Sequence, residues 1–412
     1  MTFAQRALGV ALFRTSGKLK PSLPPPVPSP ASGGGLGWGI LLLAAAVSVG
    51  CASASVREPP TPLAEFTPAF GVVQAWSADI GGGTKDYPGL LPTIRDATVY
   101  AAGANGRVSA FAVDSGKPRW QVDLNVPISG AVGVGQSLVA VGTRDGRVIA
   151  LARDTGEQRW VAKVSSEVLA PPAIGDSIVV AQTVDGRLVG LAIADGKLLW
   201  VYERAEPALS LRGADAPILV PNAVLAGFAS GRLAAVRLDD GQALWEIPVA
   251  LPRGRNEIER LVDVDVAPLV FSDAIYAASF QGKLVALNPS NGNVLWSRDI
   301  STHTGIASDG TNLYVTNDRG YVLAFDRRNG ASLWRQEGLR GRSLNAPVTY
   351  DDVIVVADYE GYVHWLARED GRFIARHQVG SAPVRARGVV ADGTVFVAGL
   401  SGTLSALRLV PK

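Results

Sequence analysis

Cysteine is almost missing from this chain. Cys51 is the single copy in 412 residues, which excludes an intramolecular disulfide and any cysteine-rich metal site. Histidine is nearly as scarce. His303, His364 and His377 are scattered without the close spacing of a metal-ligand set, and they read as ordinary strand or loop residues. Charged residues make up only 18%, low for a cytosolic enzyme. Arg6, Arg14, Lys18 and Lys20 are the only charges in the first fifty residues. Setting them aside leaves 35 of the 39 basic groups against 37 acidic ones, so the formal charge of +2 becomes −2. That balance lacks the electrostatic footprint of a nucleic-acid binder. The apolar run Ile40–Val47 is too short to span a bilayer.

What is present is a repeat. Its clearest copy reads IYAASFQGKLVALNPSNGNVLW, from Ile275 to Trp296: two β-prone runs flanking Gly282, a turn at Ser290-Asn291-Gly292, and a third run carrying a tryptophan. Related copies follow one another at about forty residues, the period of stacked four-stranded sheets rather than one continuous sheet. The outer runs carry Trp76, Trp120, Trp160, Trp200, Trp245, Trp296, Trp334 and, in a diverged copy, Ala375. The glycines between the second and third strands of each blade, flanked by the first two of these runs, are Gly106, Gly146, Gly186, Gly231, Gly282, Gly320, Gly361 and Gly402. Both series predict an all-β, eight-bladed β-propeller over residues 72–412. One indole in nearly every blade is packing, not a ligand site.

The two ends of the repeat array are complementary. Val72–Ile80 has a blade's tryptophan strand and nothing before it, whereas the last copy stops at Leu404–Leu407 without one. Pairing them closes the ring and hides an otherwise open sheet surface.

Ahead of the ring, residues 1–50 read as a signal peptide, with a basic, Pro-, Ser- and Gly-rich n-region expected to be disordered and Ile40–Val47 as the h-region. Val47-Ser48-Val49-Gly50-Cys51 resembles a bacterial lipobox, although Ser48 stands where an aliphatic residue is usual. It implies lipidation of Cys51, with ordinary cleavage near Ala52-Ser53-Ala54 as the alternative. Residues 51–71 then form a Pro-rich flexible tether.

Tryptophan spacing is longest across two consecutive steps. The extra residues fall in Arg204–Asp215 and Ala250–Asp265, outer-to-inner connections that project from one face on adjacent blades. Long charged loops on a compact ring are where function is sought.

These repeats resemble the quinoprotein-type (PQQ-type) propeller family. Within it, the likeness runs to the propeller lipoproteins of the bacterial outer-membrane β-barrel assembly (BAM) complex. It is carried by Leu209-Ser210-Leu211-Arg212-Gly213, by Ile258-Glu259-Arg260-Leu261 with Asp263-Val264-Asp265, and by Glu360-Gly361-Tyr362-Val363-His364-Trp365. The resemblance implies a non-catalytic scaffold without a cofactor, lipid-anchored on the periplasmic side of the outer membrane and monomeric within the complex. It implies binding to the periplasmic domains of the barrel-inserting subunit BamA through Leu209, Leu211, Arg212, Asp263 and Asp265, all inside the two long loops. Arg212 could equally bridge Asp263 or Asp265 and staple the loops together. Two other functions stay open: a quinone-dependent dehydrogenase, and an envelope adaptor for a different client.

Overall fold

The computed structural model describes residues 59–82, 90–207, 209–211 and 216–412; Cys51 and Arg212 lie outside them. Each copy of the repeat folds into one antiparallel sheet, and eight four-stranded sheets account for the thirty-two strands among the described residues. We number the blades in chain order, from blade one (Thr93–Asp123) to blade eight, whose inner three strands lie within Val389–Pro411. Strands in the middle of a blade are sandwiched between neighbouring sheets. Thr98–Ala102 and Arg187–Ala192 are therefore almost continuously apolar and buried. An outer strand such as Leu198–Glu203 meets water on one side and alternates between buried and exposed residues.

Blade eight is completed from the other end of the chain. Phe70–Asp79 pairs antiparallel with Thr403–Pro411, from Phe70 opposite Pro411 to Asp79 opposite Thr403, with an irregularity between Gln74 and Trp76. The strand begins two residues before the predicted start. Ile80, Val99, Ala101, Phe111, Phe396 and Leu404 form one apolar cluster across the seam between blades one and eight. The seam is thereby packed like the interior of any other blade pair.

The tryptophans join each blade to the next. The indole N–H of Trp76, Trp120, Trp160, Trp200, Trp245, Trp296 and Trp334 donates to a backbone carbonyl one blade on: those of Val113, Arg153, Ile193, Leu238, Pro289, Arg327 and Arg368, at 2.6–3.3 Å. The ring itself lies against a turn glycine of that next blade, Gly116, Gly156, Gly196, Gly241, Gly292, Gly330 or Gly371. Each of these glycines has φ near +70°, and a Cβ there would enter the indole. Blade eight, built from two chain ends, has no such turn. Ala375 of blade seven accordingly has no glycine to cover, which explains the missing eighth tryptophan. In blade five the turn between the second and third strands places Gln281 (φ 47°), not Gly282, in the left-handed region. Gly282 is instead required by close approach, because a Cβ there would lie 2.6 Å from the Ala250 Cβ.

Part of the expected tether is not free. Within residues 59–69, Thr61 N–H donates to Arg340 O and Ala69 N–H to Ile374 O, both at 2.9 Å, so this stretch lies along blade seven. Pro-rich composition predicted flexibility; arginine and aromatic side chains of blade seven supply the partners that composition does not reveal.

The indole–glycine contact is directly testable. In Gly241→Ala the new methyl would sit 2.8 Å from the Trp200 ring at a residue with φ +72°. We expect a loss of about 1–3 kcal/mol in stability, measured by urea unfolding, from overpacking combined with left-handed backbone strain.

Candidate partner-binding face

The first long loop leaves the outer strand Leu198–Glu203 of blade three and ends at Ile218–Val220 of blade four. The second runs from Ala243–Pro248 of blade four to Leu269–Val270 of blade five. Both are outer-to-inner connections, so both emerge on one face, as predicted.

Their stems are held by charge. Glu246 receives Tyr202 Oη at 3.0 Å, pairs with Arg204 Nη2 at 3.0 Å and with Arg232 Nε, so one carboxylate ties the base of the first loop to blade four. Tyr202 is pushed up to about 12, by burial first and then by this carboxylate. In the second loop, Asn256 and Glu259 brace a turn reciprocally. Glu259 N–H donates to Asn256 Oδ1 at 2.9 Å, while Glu259 Oε2 accepts the Arg255 N–H at 2.7 Å.

Among the described residues, a backbone-to-carboxylate bond joins the loops. The Leu211 backbone N–H donates to Asp263 Oδ2, linking blades three-to-four and four-to-five. Asp263 is fully buried, at 0% exposure, and has no free surface. Expected as a partner contact, it holds the first loop from below instead, because the neighbouring Val262 and Val264 are also enclosed. Leu209 stands out into solvent at 41% exposure. Leu211 and Asp265 are half-buried. Sequence reading did not assign Leu251 or Ile258 to the partner surface, though they expose 59% and 68% of their surface on the second loop. Their signal was large aliphatic residues within a loop already singled out for its length.

Glu206, also missed, is in the first loop, near its base. Together with Ser210 and Asp265 it lines a cavity of about 40 Å³ between the two connections. That space suits a single ordered water better than an organic ligand, whose pockets run to roughly 300 Å³ or more. Burial pushes Glu206 up to about 7; an amide from Ser230 opposes the shift and the neighbouring Asp263 charge adds to it. Asp263 is likewise raised by burial, against the stabilising Leu211 N–H. Among the described residues, no group of three or more His, Cys, Asp or Glu is placed to hold a metal ion.

A family model described as outer membrane protein assembly factor BamB matches residues 104–336. The BamB of Pseudomonas aeruginosa is 49% identical over 363 residues, covering 88% of this chain and 96% of that protein. The chain belongs to the BamB family. BamB of Escherichia coli K12 is 35% identical over 356 residues, covering 84% of this chain and 90% of its own. The crystal structure of BamB from Moraxella catarrhalis superposes with a TM-score of 0.76 at 30% identity, over 82% of this chain and all of that one. A quinohemoprotein alcohol dehydrogenase from Comamonas testosteroni shares the fold at 13% identity and a TM-score of 0.66, covering 82% of this chain and 76% of its own. BamB-family membership accords with the PQQ-type propeller and with outer-membrane protein assembly.

The raised Glu206 pKa has a definite sign. A carboxyl held above its ordinary 4.5 contributes full stability below that pH and loses it as pH rises through about 7. We expect Glu206→Gln to melt above the wild type at pH 8 and together with it near pH 4, read by thermal denaturation at the two values.

Proposed function

We propose that this chain is a non-catalytic scaffold of the outer-membrane protein assembly machinery, using its two long loops to bind the periplasmic domains of BamA. A lipid on Cys51 holds it at the periplasmic face of the outer membrane, and it acts as a monomer within the complex, without a cofactor. The observation that carries the reading is the Leu211–Asp263 bond. It binds two loops from separate blade connections into one unit beneath the exposed Leu209.

Such a unit has the features of a hot spot: apolar anchors on a pre-formed backbone, with an arginine, Arg212, next in the sequence. The buried Asp263 and the half-buried Glu206 act from within by keeping the loops in one geometry, and the half-buried Asp265 borders the same cavity. Membership of the BamB family supports the machinery; the loops supply a surface for its central subunit. The likeness to a quinohemoprotein dehydrogenase, at 13% identity, extends to the fold and supports no redox chemistry.

Arg212→Glu removes a charge-assisted contact and sets like charges beside the loop carboxylates. Loss of such a contact costs a complex about 2–5 kcal/mol. At ~1.4 kcal/mol per decade this weakens binding roughly thirtyfold or more. Calorimetric titration with BamA's periplasmic domains measures it, while the melting temperature should hardly change. A folded variant with wild-type affinity would refute the assignment; lost affinity that only tracks lost stability would make Arg212 a staple.

Anchoring is tested separately. Cys51→Ser should abolish metabolic lipid labelling and move the protein to the soluble fraction. Equal labelling of the two forms would show that the lipid is not on Cys51.

A further inference from the structure

The stretch Asp358–Trp365 in blade seven contains a buried ionisable network that the loops do not use. Asp358 and His364 are wholly enclosed, and Arg342 nearly so. Arg342 Nε donates to Asp358 Oδ2 at 2.7 Å, and its Nη2 to Glu360. Arg376 Nε donates to His364 Nδ1 at 3.2 Å. Because a guanidinium only donates, Nδ1 must be the unprotonated nitrogen, and Nε2–H donates to Asp358 Oδ2 at 3.1 Å. At the position of His364 the other blades place Ser109, Ile149, Val189, Ala234, Val285, Leu323 and Ser405, none of which titrates in this range. A buried charge network is a costly way merely to fill a blade.

Both arginines have a further N–H, and each points it at the same partner. Arg342 Nη1 donates to Thr61 O at 3.2 Å, and Arg376 Nη1 to Ala64 O at 3.1 Å. Between these carbonyls Leu63 packs on the cluster of Leu339, Leu344 and Tyr314. Beyond them Phe66 meets Phe373 with ring centroids 5.6 Å apart, and the Arg376 guanidinium covers Phe66 at 5.0 Å. The amides of Thr61 and Ala69 are taken up by Arg340 O and Ile374 O. Main-chain bonds at both ends with apolar side chains seated between them are how an extended peptide is recognised. Here the peptide is the chain's own residues 59–69.

The direction of this segment is informative. Thr61 meets Arg340 and Arg342 in the connection from blade six to blade seven, which lies on the same face as the two long loops. Ala69 meets Ile374 at the opposite end of the blade, where the strand Phe70–Asp79 begins.

We propose that the Arg342–Asp358–His364–Arg376 network is a clamp that makes the N-terminal chain leave the ring on the loop face and limits its reach. The proposal rests on Cys51 being the membrane anchor. Cys51 precedes Thr61, the first residue held, by ten residues and Phe70 by nineteen. At about 3.4 Å per extended residue, the longest reach is roughly 34 Å with the clamp closed and roughly 65 Å with it open. The closed clamp thus keeps the partner-binding face beside the membrane rather than anywhere on a long leash.

The test uses full-length lipidated protein in phosphatidylethanolamine–phosphatidylglycerol vesicles that carry an acceptor dye. A donor is attached at Ser401→Cys, exposed on the same face but outside the two long loops, and the clamp is opened with Phe66→Ala plus Arg376→Ala, leaving Arg342 and Asp358 in place. We expect the Thr61 and Ala69 amides to exchange at least about tenfold faster in the open variant, as local opening is favoured. Energy transfer to the bilayer should fall by about half or more, while affinity for BamA's periplasmic domains in solution stays unchanged. Wild-type amides that exchange at unfolded-chain rates would overturn the clamp. Faster exchange with unchanged transfer would overturn its spacing role. Wild-type protein that fails to bind vesicles would overturn the anchoring reading and the spacing role together, leaving the exchange measurement to decide the clamp alone.

Discussion

A tryptophan laid over the next blade's glycine is the contact on which the ring depends. The indole supplies apolar area and one N–H that requires a partner when buried. The neighbouring turn provides both a bare Cα at positive φ to lie against and a carbonyl to receive the N–H. Seven of the eight blade junctions are built this way. Because each contact spans two copies of the repeat, no blade is complete by itself. Stability is therefore a property of the closed array, as in other architectures whose units bury their faces only against one another.

The one junction that departs from this rule is where the chain's ends meet. Blade eight lacks the turn between its last two strands, so it can offer no glycine to blade seven. Blade seven carries Ala375 and, beside it, the Arg342–Asp358–His364–Arg376 network with residues 59–69 laid on top. One exception in the repeat is met by a second, differently constructed contact at the same place. Burying those charges is tolerable because the arginines, Asp358 and His364 meet one another or backbone carbonyls at all but Arg376 Nη2, which is buried without a hydrogen-bond partner.

A rigid ring is also what gives two loops a common purpose. The connections between blades three, four and five emerge on one face because every blade begins and ends in the same sense. Asp263 then reaches across to the Leu211 amide and turns two independent excursions into one surface. Placing the linking carboxylate in the interior, with Glu206 nearby, makes loop geometry sensitive to the protonation of groups that never reach solvent fully.

Much of this was legible in the residues themselves. A forty-residue period, a tryptophan in nearly every copy and complementary half-blades at the ends determine eight blades and their closure, because sheet faces and indoles must be covered. Loop length likewise marked the face on which Leu209 and Asp265 stand. Other features depended on three-dimensional placement. Whether Asp263 faces a partner or the interior turns on the burial of Val262 and Val264 around it, and spacing carries no record of that. Ala375 looked like simple divergence until the absent turn of blade eight explained it. Residues 59–69 are Pro-rich and read as a tether from composition alone; they are held because Arg342 and Arg376, some three hundred residues later, have N–H groups left over. Local sequence decides which blades form, since a strand pairs with its neighbours. Partners that distant are decided only by the closed ring, which brings the beginning of the chain against blade seven.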